Sequence, residues 1–271
     1  MHFHLPKPLH GWREFLGEVG IVVIGVLIAL GAEQVVEQVH NHSKVTENEN
    51  ALAAEVAENT AAAVIRLRLT ECVDNRLDLL GAWLDRASAA HRLPALGPFG
   101  RVRQVPFTSA TWTSFLSSPL ATTLPRTQLA ALRAAYGYSE LLRTVEEQEL
   151  EPWNVLWTMV GPGRSLSEIE EPQLRQALVK ARSDNMRAGF LAADFVEAVR
   201  RTDLPFTNEQ RERLAHVLRE PTNKLDLTDL CAGAAVAAPP HYGSSPSSYF
   251  LPMAGEALRR GVQLGPISSS H

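Results

Sequence analysis

Residues 19–32, Val-Gly-Ile-Val-Val-Ile-Gly-Val-Leu-Ile-Ala-Leu-Gly-Ala, carry no charged side chain and lie close to the start of the chain. A run of this kind serves either as a helix crossing a bilayer or as the apolar centre of a signal peptide. Crossing a hydrocarbon core of ~30 Å takes about 20 mostly apolar residues. Phe15 to Val36 supplies that length, with Glu18, Glu33 and Gln34 near the two ends, where the interface can solvate them. Trp12 and Phe15 stand at the front of the run, as aromatic interface anchors would. The competing reading takes Ala29-Leu30-Gly31 ahead of Ala32 as a small-residue cleavage site. Against it stand the long leader before the run and Glu18 inside it. The expectation is a retained single-pass anchor.

Flanking positive charge sets orientation. Lys7 and Arg13 precede the anchor, whereas Lys44 follows it among Glu33, Glu37, Glu47 and Glu49. The expected topology is N-terminus cytoplasmic with the bulk of the chain outside, which in a Gram-negative bacterium means an inner-membrane protein facing the periplasm.

The anchor residues also carry a likeness. Gly17-Glu18, Val23-Ile24-Gly25 and Leu27-Ile28-Ala29-Leu30, preceded by Pro-Leu-His-Gly-Trp-Arg-Glu-Phe at 8–15, resemble the N-terminal anchor of a family of bacterial single-pass membrane proteins, its proteobacterial members in particular. Many of those relatives continue with Asn-x-Trp, where this chain has Gly31-Ala32-Glu33. The likeness is good through the anchor and loose beyond it. It implies a topology and no activity.

Net charge is −4 and charged residues make up 21% of the chain, a balance that argues against a nucleic-acid partner, which wants a basic face. Abundant Ala and Leu with few aromatics favour helix. Cys72 and Cys231 are the two cysteines. Outside the cytoplasm an even count points to one disulfide between them, the alternative being two free thiols.

From Ala32 to Leu80 there is neither Gly nor Pro, so the anchor helix is expected to run on into a long external helix, with Asn41-His42-Ser43 the candidate bend or cap. Val73, Leu77, Leu80 and Leu84 form an apolar stripe, and Leu52 and Val56 begin a weaker one. Both are read as serving the chain's own core rather than a homomeric coiled coil. Prolines and glycines mark 92–107 as a loop. A short helix is expected over 109–117, a longer one from Leu124-Pro125 to Gln148, and a fresh start at Pro152 that Gly161-Pro162-Gly163 closes. Further helices are expected from Pro172 to Arg201, after the Thr207 capping box, near Leu227–Val236 and near Met253–Arg260. Almost nothing alternates with period two, so little or no sheet is expected.

The predicted architecture is therefore all-α, one N-terminal transmembrane helix continuing into a helical periplasmic bundle. Its parts are a cytoplasmic segment (1–14), the membrane helix (15–36), a helical stalk (37–92), a periplasmic helical domain (93–238), and a linker and tail (239–271).

No nucleophile elbow, phosphate loop, dinucleotide fingerprint or zinc-protease motif is present, so no enzyme activity, cofactor or metal is expected. Ser183-Asp184-Asn185 matches a fragment of the β-lactamase pattern without its Ser-x-x-Lys and is read as coincidence. His2 and His4, and His40 and His42, are two apart, a spacing that faces different sides of a helix and suits no shared metal. The acidic cluster Glu146, Glu147, Glu149 and Glu151 is read as a solvated face. On the anchor, Glu18 shares a face with Ile21, Gly25, Ile28, Ala29 and Ala32, and Gly25-x-x-x-Ala29 is a small-x-x-x-small pair that permits close helix approach. These six residues are the predicted packing seam. The functional expectation is a non-catalytic accessory or structural subunit of a larger inner-membrane complex, respiratory, photosynthetic or transport, whose partners are other integral membrane subunits and the lipid bilayer. The alternative is a membrane-anchored periplasmic sensor or ligand-binding module.

Overall fold

The computed structural model of the protein describes residues 12–225 together with Leu230 and Cys231. Residues 1–11, the side chains of Trp12, His40 and His42, the expected tail 239–271, and the expected helices near Leu227–Val236 (Leu230 and Cys231 apart) and Met253–Arg260 lie outside the described residues. Two units are distinguished, residues 1–48 and 49–271. The described residues are almost all helical or in loops, so the fold is all-α.

The first helix, α1 (Trp12–Ala89), contributes to both units. Helical backbone passes through Asn41-His42-Ser43, so no new cap forms there. In the first unit, Phe15–Gln34 is a 20-residue stretch with mean hydropathy 2.4 and no part of it buried within the chain. At 1.5 Å per residue it reaches about 30 Å, the thickness of a hydrocarbon core.

The second unit is a three-helix core of α1 from Glu49 onward, α3 (Arg126–Trp157) and α4 (Glu170–Arg200). Its apolar contacts fall into two clusters. One joins Leu52, Val56 and Val64 of α1 to Leu132, Leu142 and Val145 of α3 and to Ala188, Phe195 and Val199 of α4. The other joins Val73, Leu77, Leu80 and Leu84 to Trp153 and Leu156 and to Leu174, Ala177 and Ala181. The order of these residues along each helix makes α1 and α3 parallel and α4 antiparallel to both. The stripe of α1 thus packs within its own chain. Residues 49–92, placed in a stalk by the sequence reading, are the central helix of the folded unit as far as Ala89.

Two parallel neighbours need a long return connection, and 94–109 provides it as an extended strap with Phe99, Val102 and Val105 buried. Asn59 holds the strap to α1: its amide donates to the Thr108 carbonyl at 2.7 Å and its oxygen accepts from Thr108 N–H at 2.9 Å. The short helix α2 (Ala110–Leu116) follows, and Ser109 gives it no side-chain cap. Glu55 of α1 acts instead, accepting from the N–H groups of Thr111 and Trp112 at 2.9 and 3.1 Å. A carboxylate at a helix N-terminus satisfies orphan donors and complements the dipole.

Pro152 does not restart a helix. α3 runs through it unbroken, with Pro152 itself buried. The only sheet among the described residues is two residues long on each side, Arg92–Leu93 antiparallel to Arg164–Ser165. Gly161 makes the adjoining turn at φ +139, a conformation L side chains rarely adopt. Thr207 caps α5 (Asn208–Arg219) with the reciprocal Gln210 bond expected of a capping box. The chain then passes through α6 (Thr222–Leu225) to Cys231, bonded to Cys72 of α1 across 159 residues. In the chain-entropy view a loop of this length stabilises the fold by about 5 kcal/mol.

Leu77 has no exposed surface, whereas Val179 on α4 is 71% exposed. Leu77→Ala is expected to destabilise the domain by about 2–5 kcal/mol. Val179→Ser is expected to move the urea midpoint by less than about 0.5 kcal/mol equivalent. Urea unfolding with the disulfide intact checks both.

Candidate functional site

The predicted seam lies on the first unit. Glu18, Ile21, Gly25, Ile28, Ala29 and Ala32 are all exposed, Ile21 at 74% and Ile28 at 67%. A side chain built on Gly25 would meet nothing within 4 Å. Within this chain, then, nothing described covers the face. Phe15, the described member of the interface-anchor pair, is 41% exposed.

The second site was not foreseen. Between the two apolar clusters lies a layer of buried polar groups contributed by all three core helices. Arg66 of α1 has no exposed surface, and Glu149 of α3 has 1%. One terminal nitrogen of Arg66 donates to both Glu149 oxygens at 3.2 and 3.1 Å. The other donates to Asn185 Oδ1 of α4 at 3.0 Å. Asn185 in turn donates through Nδ2 to the Thr70 carbonyl at 3.0 Å and to Asp74 Oδ1 at 2.8 Å. A single guanidinium and a single amide thereby tie α1, α3 and α4 together at one level.

Glu146 lies one turn before Glu149, 3.8 Å from Arg66 Nε and 3% exposed. Its Oε2 accepts from Val105 N–H of the strap at 3.2 Å, and its backbone carbonyl accepts from Gln104 at 3.2 Å. Asp184, also buried, takes the half-exposed Lys180 at 2.8 Å. Four buried carboxylates thus belong to this layer: Glu146 and Glu149 face Arg66, Asp74 accepts from Asn185, and Asp184 pairs with Lys180. Burial pushes the Glu146 carboxyl up to about 7, against the pull of Arg66 and the Val105 N–H. Burial also raises Glu149, with Asp184 and Asp74 adding to the rise and Arg66 opposing it.

These contacts correct the reading of the acidic cluster. Of its four members Glu147 and Glu151 are exposed and face solvent, while Glu146 and Glu149 face the core. Asp184 and Asn185 of the β-lactamase-like triplet belong to the same layer. A signal was present: Glu146 and Glu149 fall in register with Leu142, Val145, Trp153 and Leu156, all buried on the same face of α3.

Two surface clefts accompany these features. One, of about 480 Å³, lies between the end of the strap, α2 and α3, lined by Thr108, Trp112, Arg133, Tyr136 and Arg143 among others. Trp112 stacks on Tyr136 at 4.9 Å, and burial together with the 2.6 Å bond to Glu55 keeps the Tyr136 phenol protonated. The other, of about 260 Å³, surrounds the disulfide. Among the described residues no group of His, Cys, Asp and Glu is arranged to hold a metal ion. No protein-family model, curated protein or solved structure matches the chain.

Raised carboxyls bind a proton more tightly in the folded state than in the unfolded chain. Their contribution to stability is complete below the ordinary Glu range and is lost as pH rises through the folded value, about 7 for Glu146. Urea unfolding is expected to give lower stability at pH 8 than at pH 5, by an amount on the order of 3 kcal/mol at most for one such group. Glu146→Gln is expected to flatten that dependence and to be the more stable protein at pH 8.

Proposed function

We propose that this chain is a single-pass membrane protein acting as a non-catalytic accessory or structural subunit of a larger inner-membrane complex. Its N-terminus lies in the cytoplasm and its helical domain in the periplasm. The observation that carries the reading is the uncovered anchor face. Phe15–Gln34 is long and apolar enough to span and is unburied within its own chain. Gly25 and Ala29 on that face permit a close helix–helix approach. Glu18 stands at one end of the face, and an ionisable group beside hydrocarbon is best accommodated facing protein or water. The Cys72–Cys231 bond fits a domain folded in an oxidising compartment. A core tied across three helices by buried charge suits a part that holds position. Neighbouring integral subunits would pack on the seam, and the domain would cover the outer face of the assembly.

A second reading, a membrane-anchored ligand-binding module, is favoured by the cleft beside Trp112 and Tyr136, whose rim carries Arg133 and Arg143.

Mild detergent extraction of native membranes, followed by sizing and mass spectrometry, separates the two. The subunit reading expects stoichiometric co-migration with integral membrane proteins. It also expects Gly25→Leu with Ala29→Leu to abolish that co-migration while the domain remains folded. Migration of the wild-type chain alone overturns the reading and turns attention to ligands of the cleft.

A further inference from the structure

The disulfide occupies a setting that suits exchange chemistry. Cys72 and Cys231 are both half-buried, and both line the open 260 Å³ cleft. Arg68 and Arg76 stand one helical turn to either side of Cys72 on the same face of α1 and line the same cleft. Glu71 and Asn75 complete that part of the wall, and Glu220 acts on Arg68 from beyond it, so the described charged groups about the bond are two arginines and two glutamates. Partial exposure gives an incoming thiol access, and an arginine one turn to either side of Cys72 favours the thiolate there, the form of sulfur that attacks and leaves in exchange.

The bond also holds something down. Leu230, adjacent to Cys231, is 2% exposed and sits at the edge of the second apolar cluster. Arg76 grips it through two donations to the Leu230 carbonyl, at 3.1 and 2.8 Å. The three core helices meet elsewhere, through their own apolar stripes and the Arg66 layer. Opening the bond therefore loosens an edge and leaves the core standing.

We propose that Cys72–Cys231 is a site of thiol–disulfide exchange with a dithiol reductant, and that its reduction releases Leu230 from the face of α1. The thiolate of the incoming dithiol attacks Sγ of Cys231. A new sulfur–sulfur bond forms there, the Cys72–Cys231 bond breaks, and its electron pair remains on Cys72 Sγ as a thiolate between Arg68 and Arg76. The second sulfur of the reductant then attacks the mixed disulfide and expels Cys231 as a thiolate. The protein gains two electrons and, on protonation, two protons; the dithiol leaves as a disulfide. This site belongs to the second unit and does not rest on the accessory-subunit reading.

The test uses the full chain in detergent micelles, with dithiothreitol as the dithiol and a mass-tagged maleimide to count free sulfurs. Complete reduction near neutral pH without denaturant, with far-UV circular dichroism unchanged, is expected. In Cys231→Ser, the pH profile of Cys72 alkylation is expected to have its midpoint below the ordinary thiol value of about 8.5. Adding Arg68→Gln and Arg76→Gln should move that midpoint up. Labelling that requires denaturant, or helix loss that tracks reduction, overturns the proposal on the wild-type chain alone. A midpoint indifferent to both arginines overturns the assigned chemistry.

Discussion

Arg66 is the constraint around which the folded unit is arranged. A guanidinium with no exposed surface is costly unless its charge is met and most of its donors are used; here both terminal nitrogens are hydrogen-bonded, while Nε has only Glu146 at 3.8 Å. Glu149 meets the charge and Asn185 takes the second terminal nitrogen. Both partners come from other helices, so the relative heights of α1, α3 and α4 are set by one side chain. The apolar clusters on either side would tolerate a sliding of leucines and alanines past one another. The polar layer would not, because a shift of one turn leaves an unpaired charge in the core. Removing one member of such a set typically costs several kcal/mol.

The same layer explains the parts attached to it. Glu146 turns toward Arg66 and also receives Val105 N–H, so the strap that returns the chain from the end of α1 is fastened to the Arg66 layer. Farther along α1, Asn59 and Glu55 repeat the device, each using a side chain to satisfy backbone groups of a segment with no regular partner of its own. On another face of α1, Arg68 donates to the Val217 carbonyl and Arg76 to that of Leu230. One helix is thus the template for the domain, and polar side chains set at intervals along it decide where the irregular segments lie.

Much of this was legible in the sequence and some was not, for identifiable reasons. The apolar N-terminal helix, the long helix without breakers, the Thr207 cap, the all-α class and the cysteine pair each rest on local chemistry that a sequence displays directly. Pro152 misled because a proline in mid-pattern usually ends a helix. The acidic cluster misled because four glutamates close together suggest water, although position 146 and position 149 repeat the spacing of the buried residues around them. The same spacing on α1 runs Leu52, Val56, Asn59, Ala63, Arg66, Thr70, Val73, Leu77, with the polar members inside the stripe. Reading the stripe by position rather than by residue type exposes the layer. Which polar side chains meet, and that Asn185 of α4 joins them, depends on three helices far apart in sequence and is visible only in the fold. The face of the apolar N-terminal helix is of another kind: its spacing is plain in the sequence, and nothing described in this chain covers it.

The central structural claim is that the Arg66–Glu149 pair acts as a unit that fixes helix register. A double-mutant cycle tests it most directly, with Arg66→Met, Glu149→Leu and the combined variant compared by urea unfolding at constant pH. Each single change strips a buried charged group of its hydrogen-bonded partner, and each is expected to cost on the order of 3–5 kcal/mol. The combined variant is expected to recover most of that loss, a strongly non-additive result. Additive losses would contradict the account and reduce the pair to two independent packing residues.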